Sequence, residues 1–529
     1  MKKIAIFDST LRDGAQAESI SFSVADKLKI VSTLDELGIN YIEAGNPGSN
    51  PKDLEFFKEV KKLALKKAKL AAFGSTRRRD IKVEEDSNVQ SLLIADTPVV
   101  VIFGKAWDFH VTDIIKTTLE ENLCMIEETI SFLKGKGKEV IFDAEHFFDG
   151  YKSNSQYALK TLLAAVKAGA DCIVLCETNG GAFPDEIFEI VKEVKEKVSC
   201  EIGIHTHNDT GMGVANSVMA VLAGATHVQG TFLGFGERCG NANLSTIIPN
   251  LQLKRGYTCI SEENMIKLTP FARRIAEIAN ISLSDHMPYV GKSAFAHKAG
   301  MHIDGVTKAP ISFEHVTPDC VGNERRFLMS EVAGRSTILE KVQRIAPQVT
   351  KNDAVTSQII ARIKELEHKG YQFEGADGTF ELLVRKALGK YKPFFDLEEF
   401  KTIGEEPSNS KEISSSAIIK VRVDGRVEMT AAEGEGPVNA LDKALRKALE
   451  IFYPELKTVH LTDYKVRVLD TKSATAAKVR VLIESTDGED YWSTVGVSTD
   501  IIEASWIALV DSIEYKLIKD IEKKFKAYL

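Results

Sequence analysis

Short apolar runs alternate with stretches of helical periodicity through the first half of the chain. Eight runs have the length of a strand, and they occur at 3–8, 40–44, 69–73, 98–103, 138–143, 171–176, 201–205 and 227–231. Between them, stretches such as 24–37 repeat apolar positions with the period of an amphipathic helix. Eight strand-plus-helix units in roughly 250 residues predict a (β/α)8 barrel. An open doubly wound sheet is less favoured, because no Gly-x-Gly-x-x-Gly sequence follows the first strand.

The pattern changes after the barrel, which is predicted to span 1–265. Residues 266–405 are predicted to form helical linker subdomains, and the polar, turn-rich run 402–412 is predicted to be a linker. From about 413, strand-like runs precede a helix at 437–450, and further strand-like runs precede a last helix at about 500–524. This order predicts an α+β domain over 406–529, built from two related strand-then-helix halves.

Polar groups follow every predicted strand of the barrel. The first strand is followed by the run Asp8-Ser9-Thr10-Leu11-Arg12-Asp13-Gly14, and the seventh by Thr206-His207-Asn208-Asp209. The C-terminal ends of barrel strands meet at one face, and catalytic residues in this fold lie there. The sequence therefore predicts that any chemistry takes place at this face.

The histidines His205 and His207 are the strongest candidates for metal ligands. Positions i and i+2 of a strand point to the same side, so both imidazoles can bind one ion. A bare His-x-His is more often a hydrogen-bonded or surface pair. Asp13, at the end of the first strand, and Asn241, after the eighth, favour the metal site because barrel closure brings them near the seventh strand. Such oxygen and nitrogen ligands suit Mg²⁺, Mn²⁺ or Zn²⁺.

Further polar residues at the strand ends are candidates for substrate contacts. Arg12 could stabilise an oxyanion, although Arg-Asp pairs are commonly surface ion pairs. Glu43 and Glu145 stand where a general base or an orienting carboxylate would lie, and their alternative role is to bind neighbouring loops. Thr178 precedes glycines and can bring a hydroxyl group close to a carboxylate. Arg12, Asp13, Glu43 and Thr178 are the predicted substrate-binding residues.

Composition excludes some classes of function. The net charge of -8 over 529 residues provides no basic field for nucleic acid, and no apolar run has transmembrane length. No signal peptide is evident, so a cytoplasmic protein is expected. The seven cysteines are dispersed, which favours free thiols. Cys239 has only a small prospect of a chemical role, and the basic run 77–79 is as readily a solvated surface as a phosphate contact.

Several long motifs resemble the family of the 2-isopropylmalate, homocitrate and citramalate synthases. They are DSTLRDGAQ, the run at 205–216, GFGERCGNANL at 234–244 and GKSAFAHKAGMHIDG at 291–305. The wider superfamily includes HMG-CoA lyase and the transferase domain of pyruvate carboxylase. The resemblance implies metal-dependent condensation of acetyl-CoA with a 2-keto acid. The runs 72–78, 102–111 and 142–151 are most similar to the citramalate branch, which implies pyruvate as the keto acid and a place in isoleucine biosynthesis.

The resemblance also implies roles for individual residues. The implied metal ligands are Asp13, His205, His207 and Asn241. The implied catalytic residues are Arg12, which stabilises the keto oxygen and the enolate, Glu145, an acid/base carboxylate, and His302. In the family, the histidine at the His302 position reaches the active site of the other protomer of a homodimer. Thr178 resembles a contact to the carboxylate of the keto acid.

The C-terminal domain resembles the regulatory domain of the family, which dimerises and binds an end-product amino acid; isoleucine is the implied effector. Two residues depart from the family pattern. Phe313 replaces a common tyrosine, so a hydroxyl near the incoming histidine is missing, and Glu177 replaces a common aspartate.

Three alternatives to the citramalate reaction remain. A synthase for another keto acid would make isopropylmalate or homocitrate. A lyase such as HMG-CoA lyase is less favoured, because simple lyases of the superfamily lack the C-terminal domain. An inactive regulatory homologue is disfavoured by the intact Arg12, Asp13, Glu145 and histidines.

Overall fold

The computed structural model describes two compact units, each with its own hydrophobic core. The first consists of Met1–Phe295 with Glu314–Arg325, and the second of Ala296–Phe313 with Arg326–Leu529. The described residues are all but 1, 49, 299, 329–338, 340–341, 344, 351–352, 374, 406–413, 470–476 and 528–529.

The first unit contains a closed barrel of eight parallel strands, which confirms the predicted fold. Each strand pairs with the next along the chain, and the last closes the barrel by pairing with the first. The strands are β1 (Ala5–Asp8), β2 (Tyr41–Glu43), β3 (Lys69–Ser75), β4 (Val99–Lys105), β5 (Glu139–Glu145), β6 (Cys172–Glu177), β7 (Glu201–Thr206) and β8 (His227–Gly230). Closure brings all eight C-terminal strand ends to one face.

Helices alternate with the strands of this unit. They are α1 (Val24–Leu37), α2 (Pro51–Glu59), α3 (Ser87–Ala95), α4 (Leu119–Gly135), α5 (Phe147–Lys167), α6 (Pro184–Lys197), α7 (Gly213–Ala223), α8 (Leu244–Pro249), α9 (Glu262–Met265) and α10 (Leu268–Ile278). Local sequence sets their ends. The Ser23 hydroxyl accepts from the backbone N–H of Asp26 while the Asp26 carboxylate accepts from that of Ser23, and α1 ends at Gly38, whose φ of 93° suits glycine.

The interior of the barrel is filled by alternate residues of its strands. Phe7, Val99, Val101 and Val174 belong to one buried apolar cluster. The intervening residues, such as Val100, join the larger core that includes the helices. Side chains two residues apart point to the same side of a strand, and the inward row changes from apolar to polar towards the C-terminal end, as from Ile141 to Asp143 on β5. The apolar interior thus closes the barrel below a layer of polar groups.

The second unit repeats one arrangement of three antiparallel strands and a helix. Before the repeats come β9 (Ala296–His297), α11 (Gly300–Lys308), β10 (Arg326–Phe327), α12 (Ala354–His368) and α13 (Asp377–Ala387). The repeats consist of β11 (Asp396–Glu405), β12 (Ser414–Val423), β13 (Arg426–Gly434) and α14 (Pro437–Leu449), then β14 (His460–Val468), β15 (Val479–Thr486), β16 (Tyr491–Ser498) and α15 (Ile501–Ala527). In the described part of the chain, no helix is long and apolar enough to cross a bilayer.

Strand β11 differs from the sequence prediction, which placed helical or irregular structure up to residue 405. Its pairing with β12 runs from Asp396 opposite Arg422 to Glu405 opposite Ser414. β11 is an edge strand, and charged residues are common on edges, so its sequence lacks a clear apolar pattern. Of the predicted linker 402–412, residues 402–405 belong to this strand, and 406–412 lie outside the described residues.

Candidate active site

The turn after β1 is held in shape by a buried carboxylate. Asp8 accepts hydrogen bonds from the backbone N–H of Thr10 at 2.9 Å and from its hydroxyl at 3.0 Å. The hydroxyl oxygen of Thr10 in turn accepts from the N–H of Phe232, after β8, at 2.8 Å. Burial raises the pKa of Asp8 to about 7. These bonds join the ends of β1 and β8 and fix the turn that carries Arg12 and Asp13.

Asp13, His205 and His207 meet at this face of the barrel. The Oδ2 atom of Asp13 lies 3.2 Å from Nε2 of His205 and 3.8 Å from Nε2 of His207, and the two imidazole nitrogens are 3.4 Å apart. Ligands about 2.1 Å from one ion are separated by roughly 3–4 Å, so these distances fit a shared divalent cation. Among the described residues, these three form the one group of His, Cys, Asp or Glu side chains whose ligand atoms lie close enough together to hold a metal ion.

The charge states of Asp13 and His207 suit a cation. Burial by itself would raise the pKa of Asp13, but the charge of Arg12 and the contact with His205 hold it well below its usual value. Burial and the neighbouring His205 lower the pKa of His207 to about 4. The site therefore offers a carboxylate and a neutral imidazole, which are the forms that bind metal ions.

Asn241 supplies a further oxygen next to His207. The two residues form an isolated antiparallel bridge, and the side-chain amide of Asn241 donates to the carbonyl of Phe235 at 3.2 Å. Its Oδ1 atom is buried without a hydrogen-bond partner among the described residues. A Cβ on Gly236, whose φ is 149°, would lie 2.2 Å from the Asn241 amide nitrogen, so the glycine makes this close approach feasible. A buried, unpartnered oxygen on a residue that pairs with His207 fits a ligand for a cation.

Behind His205 lie two residues that the sequence analysis did not single out, Gln229 and Asp143. Nδ1 of His205 lies 2.9 Å from Oε1 of Gln229, and the Gln229 amide donates to Asp143 at 3.0 Å. Because an amide oxygen only accepts, Nδ1 carries a proton, and Nε2 faces Asp13 and His207. Burial raises the pKa of Asp143 to about 7. Strand alternation was the signal that could have found both residues, since each occupies an inward position.

Arg12 is anchored at the mouth of the barrel by Glu43. Its Nε donates to Oε2 of Glu43 at 2.7 Å, and the same oxygen accepts from the hydroxyl of Ser9 at 2.5 Å. The guanidinium carbon lies 3.7 Å from the centre of the Phe73 ring, and Nη1 is 3.6 Å from Oδ2 of Asp13. Burial acts to lower the pKa of Arg12, but the charges of Glu43 and Asp13 raise it above its usual value. Arg12 is therefore a fixed, permanent cation.

Glu145 and Thr178 lie at the ends of β5 and β6. Glu145 forms an ion pair with Lys105, at the end of β4, and its side chain keeps about a quarter of its surface exposed (26%). The Thr178 hydroxyl accepts from the backbone N–H of His146 at 3.0 Å. The structure thus places both predicted residues at the C-terminal face, Glu145 with a basic partner.

Two further residues singled out from the sequence are His302 and Glu177. His302 belongs to the second unit, where it is exposed on α11 and stacks on Phe313 with ring centres 4.2 Å apart. Glu177 accepts from the N–H groups of Gly181 and Ala182 at 3.0 and 3.3 Å, so it shapes its own loop.

The basic run 77–79 is held by protein groups. Arg77 pairs with Glu121 at 2.7 Å and with Glu128 at 2.6 Å, and Arg78 lies 3.3 Å from Asp86. These contacts favour a structural role over phosphate binding. All seven cysteines are free thiols, and Cys239 is exposed.

Three family models match successive parts of the chain. Residues 3–274 match the HMGL-like family, 289–371 the homocitrate synthase post-HMGL domain-like family, and 374–517 the LeuA allosteric (dimerisation) domain.

Curated relatives match from end to end. The chain is 54% identical over 523 residues to an (R)-citramalate synthase of Aquifex aeolicus, with 99% of each chain covered. It is 53% identical to an (R)-citramalate synthase of Geobacter sulfurreducens, again with 99% of each covered. A probable 2-isopropylmalate synthase of Methanopyrus kandleri is more distant, at 31% identity with 97% of this chain and 98% of the relative covered. The chain therefore belongs to the HMGL-like family and, within it, to the group of the (R)-citramalate synthases.

Proposed function

We propose that the protein condenses acetyl-CoA with pyruvate and water to give (R)-citramalate and coenzyme A, as an entry step to isoleucine. The observation that carries this proposal is the fixed cation Arg12 beside the Asp13–His205–His207 cluster at the barrel mouth. Full-length relatives named (R)-citramalate synthase support pyruvate as the keto acid. The more distant 2-isopropylmalate synthases make another keto acid the second candidate.

The proposed metal ligands are Asp13, His205, His207 and Asn241. Oxygen and nitrogen donors in this proportion suit Mg²⁺, Mn²⁺ or Zn²⁺. When bound, such an ion supplies Lewis-acid polarisation of a carbonyl group. The bond from Gln229 to His205 keeps the imidazole in the tautomer that presents Nε2.

Arg12 and Thr178 are the proposed contacts to the keto acid. Arg12 donates to the keto oxygen and stabilises the negative charge that develops there. The guanidinium is already in position before the substrate binds, so it does not have to reorganise during the reaction. The hydroxyl of Thr178 contacts the carboxylate of the keto acid. Glu43 acts mainly through Arg12, since one of its oxygens is already bonded to Arg12 and Ser9.

Glu145 is the proposed acid/base group for the acetyl methyl. Its ion pair with Lys105 orients the carboxylate, so it can accept a methyl proton directly or through water. The resulting enolate attacks the keto carbon, and hydrolysis of the thioester then makes the reaction irreversible. His302 of a second protomer is the proposed partner of Glu145.

We expect thiol release from acetyl-CoA to depend on the keto acid supplied. With a divalent cation present, pyruvate should give the highest kcat/KM, measured with a thiol-reactive dye against 2-oxoisovalerate, 2-oxobutyrate and 2-oxoglutarate. A preference for 2-oxoisovalerate would replace the citramalate assignment with isopropylmalate synthesis. No thiol release with any of these acids would exclude the synthase reaction altogether.

Replacing Asp13 by asparagine should lower both metal content and turnover. The substitution removes the only carboxylate of the described cluster. We expect kcat to fall by more than about 100-fold, because mutating residues that merely hydrogen-bond to metal ligands already lowers metal affinity or activity by roughly 10–100-fold. Metal content is measured by mass spectrometry after dialysis. The exposed Asp285, changed to asparagine, is the matched control. Normal metal content in the Asp13→Asn protein would contradict the ligand assignment.

Mixed dimers test whether His302 acts across protomers. If it does, a dimer of one Asp13→Asn subunit and one His302→Ala subunit keeps one complete site. Random mixing of the two inactive variants should then restore about one quarter of the wild-type activity. If His302 acts within its own chain, both sites of the mixed dimer are broken, and activity stays at the level of the separate variants.

The second unit is proposed to dimerise and to bind isoleucine. Apolar side chains are exposed on its strands, including Met429 (64% exposed) on β13 and Val468 (49%) on β14, as expected for an uncovered interface. We expect isoleucine to lower the rate of thiol release by roughly 5-fold or more, the usual lower range of allosteric coupling. Leucine and valine serve as controls. An unchanged rate at saturating isoleucine would rule out this effector.

A further inference from the structure

Three nitrogen-containing rings pack together at the ends of β4 and β5. The rings of His110 and His146 have centres 4.3 Å apart, and that of Trp107 lies 5.0 Å from His110 and 5.9 Å from His146. This ring cluster stands at the C-terminal face of the barrel, next to Glu145. It is separate in sequence from the metal-binding residues, and the proposed condensation does not use it.

His146 is oriented by a carboxylate. Its Nδ1 lies 3.1 Å from Oδ2 of Asp149, and the same oxygen accepts from the side-chain amide of Asn179 at 3.0 Å. Burial alone would raise the pKa of Asp149, but these two hydrogen bonds hold it below its usual value. Asp149 is therefore ionised and fixes Nδ1 as the protonated nitrogen. Nε2 of His146 has no hydrogen-bond partner among the described residues and is left as a base.

The backbone holds His146 in an unusual conformation. Its φ is 55°, in the left-handed region that residues other than glycine rarely adopt, and its N–H donates to the Thr178 hydroxyl. Non-glycine residues keep such strain where the surrounding structure enforces it, and these places are frequently functional.

Close packing of α5 against the loop after β4 completes the ring cluster. A Cβ on Gly150 would lie 2.4 Å from the carbonyl oxygen of Ala106 and 2.8 Å from Cα of Trp107, so only glycine permits this approach. On the loop side, residues His110–Ile114 form a π-helical turn, a feature common at functional sites. Two independent elements are thus shaped to bring Trp107 and His110 onto His146.

Two ring nitrogens in the cluster point to a bound molecule. Nε1 of Trp107 and Nδ1 of His110 are buried without a hydrogen-bond partner in the described structure. Buried polar groups are nearly always paired, and an unpaired one is commonly satisfied by water or a ligand. Burial and the neighbouring charges of His146 and Lys105 lower the pKa of His110, so this ring is neutral and can accept or donate one hydrogen bond.

We propose that His146, supported by Asp149, activates the water that hydrolyses the thioester formed by the condensation. Nε2 of His146 takes a proton from water as the water oxygen attacks the thioester carbonyl carbon. The carbon–sulfur bond then breaks, and the imidazolium returns the proton to the departing thiolate. The products are the free hydroxy acid and the thiol of coenzyme A, so atoms and charges balance. This inference rests on the proposed function, and it separates the base for hydrolysis from Glu145, the base for the methyl group.

The decisive substitution is His146→Gln, which keeps hydrogen-bonding atoms but removes the base. We expect the variant to condense acetyl-CoA with pyruvate and to retain the condensed hydroxyacyl thioester, detected by mass spectrometry of quenched single turnovers. Hydrolysis of the synthetic thioester should be slower by about 100-fold or more, the usual contribution of a general base. Asp149→Asn, which leaves the imidazole in place, should slow the same step to a smaller extent.

The exposed His286, changed to glutamine, is the matched control, and circular dichroism and metal content verify the fold of each variant. Wild-type rates of thioester hydrolysis in both His146→Gln and Asp149→Asn would overturn the inference and leave the proposed function intact. Folded variants that no longer consume acetyl-CoA would also overturn it, because the ring cluster would then act before hydrolysis. A wild-type protein that releases no thiol with any keto acid would overturn both proposals. If His146→Gln does not fold, Asp149→Asn decides alone.

Discussion

The buried ion pair between Arg12 and Glu43 is the interaction on which the barrel mouth depends. It joins the turn after β1 to the end of β2 and holds the guanidinium over the ring of Phe73. A charge buried without its partner costs about 3–5 kcal/mol, so neither residue is tolerated alone. Because the negative charges of Glu43 and Asp13 surround it, Arg12 remains charged and in place before any substrate arrives. This fixed charge suits the oxyanion-binding role that we propose for the turn.

The candidate metal-binding face is built from parts that the chain brings together only through barrel closure. Asp13 comes from the turn after β1, His205 from β7, His207 from the position just after β7, and Asn241 from the loop after β8, where it forms a bridge with His207. Behind them, Gln229 and Asp143 fix the tautomer of His205, and glycine at 236 allows the amide of Asn241 to approach. The precision of the site therefore lies in its supporting residues as much as in the ligands.

Phe313 stands where the resemblance to the family implies a tyrosine. Phe313 stacks on His302 and has no hydroxyl to offer as an acid or a hydrogen-bond donor. The barrel of this chain carries a strained histidine with its own carboxylate, at the rim next to Glu145. Two bases in separate surroundings, one paired with Lys105 and one with Asp149, match a reaction with two proton transfers, one from a methyl group and one from water.

The sequence alone determined the order and positions of the eight barrel strands, because parallel strands buried on both faces are continuous apolar runs. It also identified Asp13, His205 and His207, since strand ends and the two-residue period place them together. Only the tertiary structure decided the pairing of β11, which as a charged edge strand has no pattern of its own. Gln229, Asp143, Lys105 and the pairing of His146 with Asp149 likewise required it, because contacts between strand ends depend on register, side-chain direction and burial, and the linear sequence specifies none of these distances.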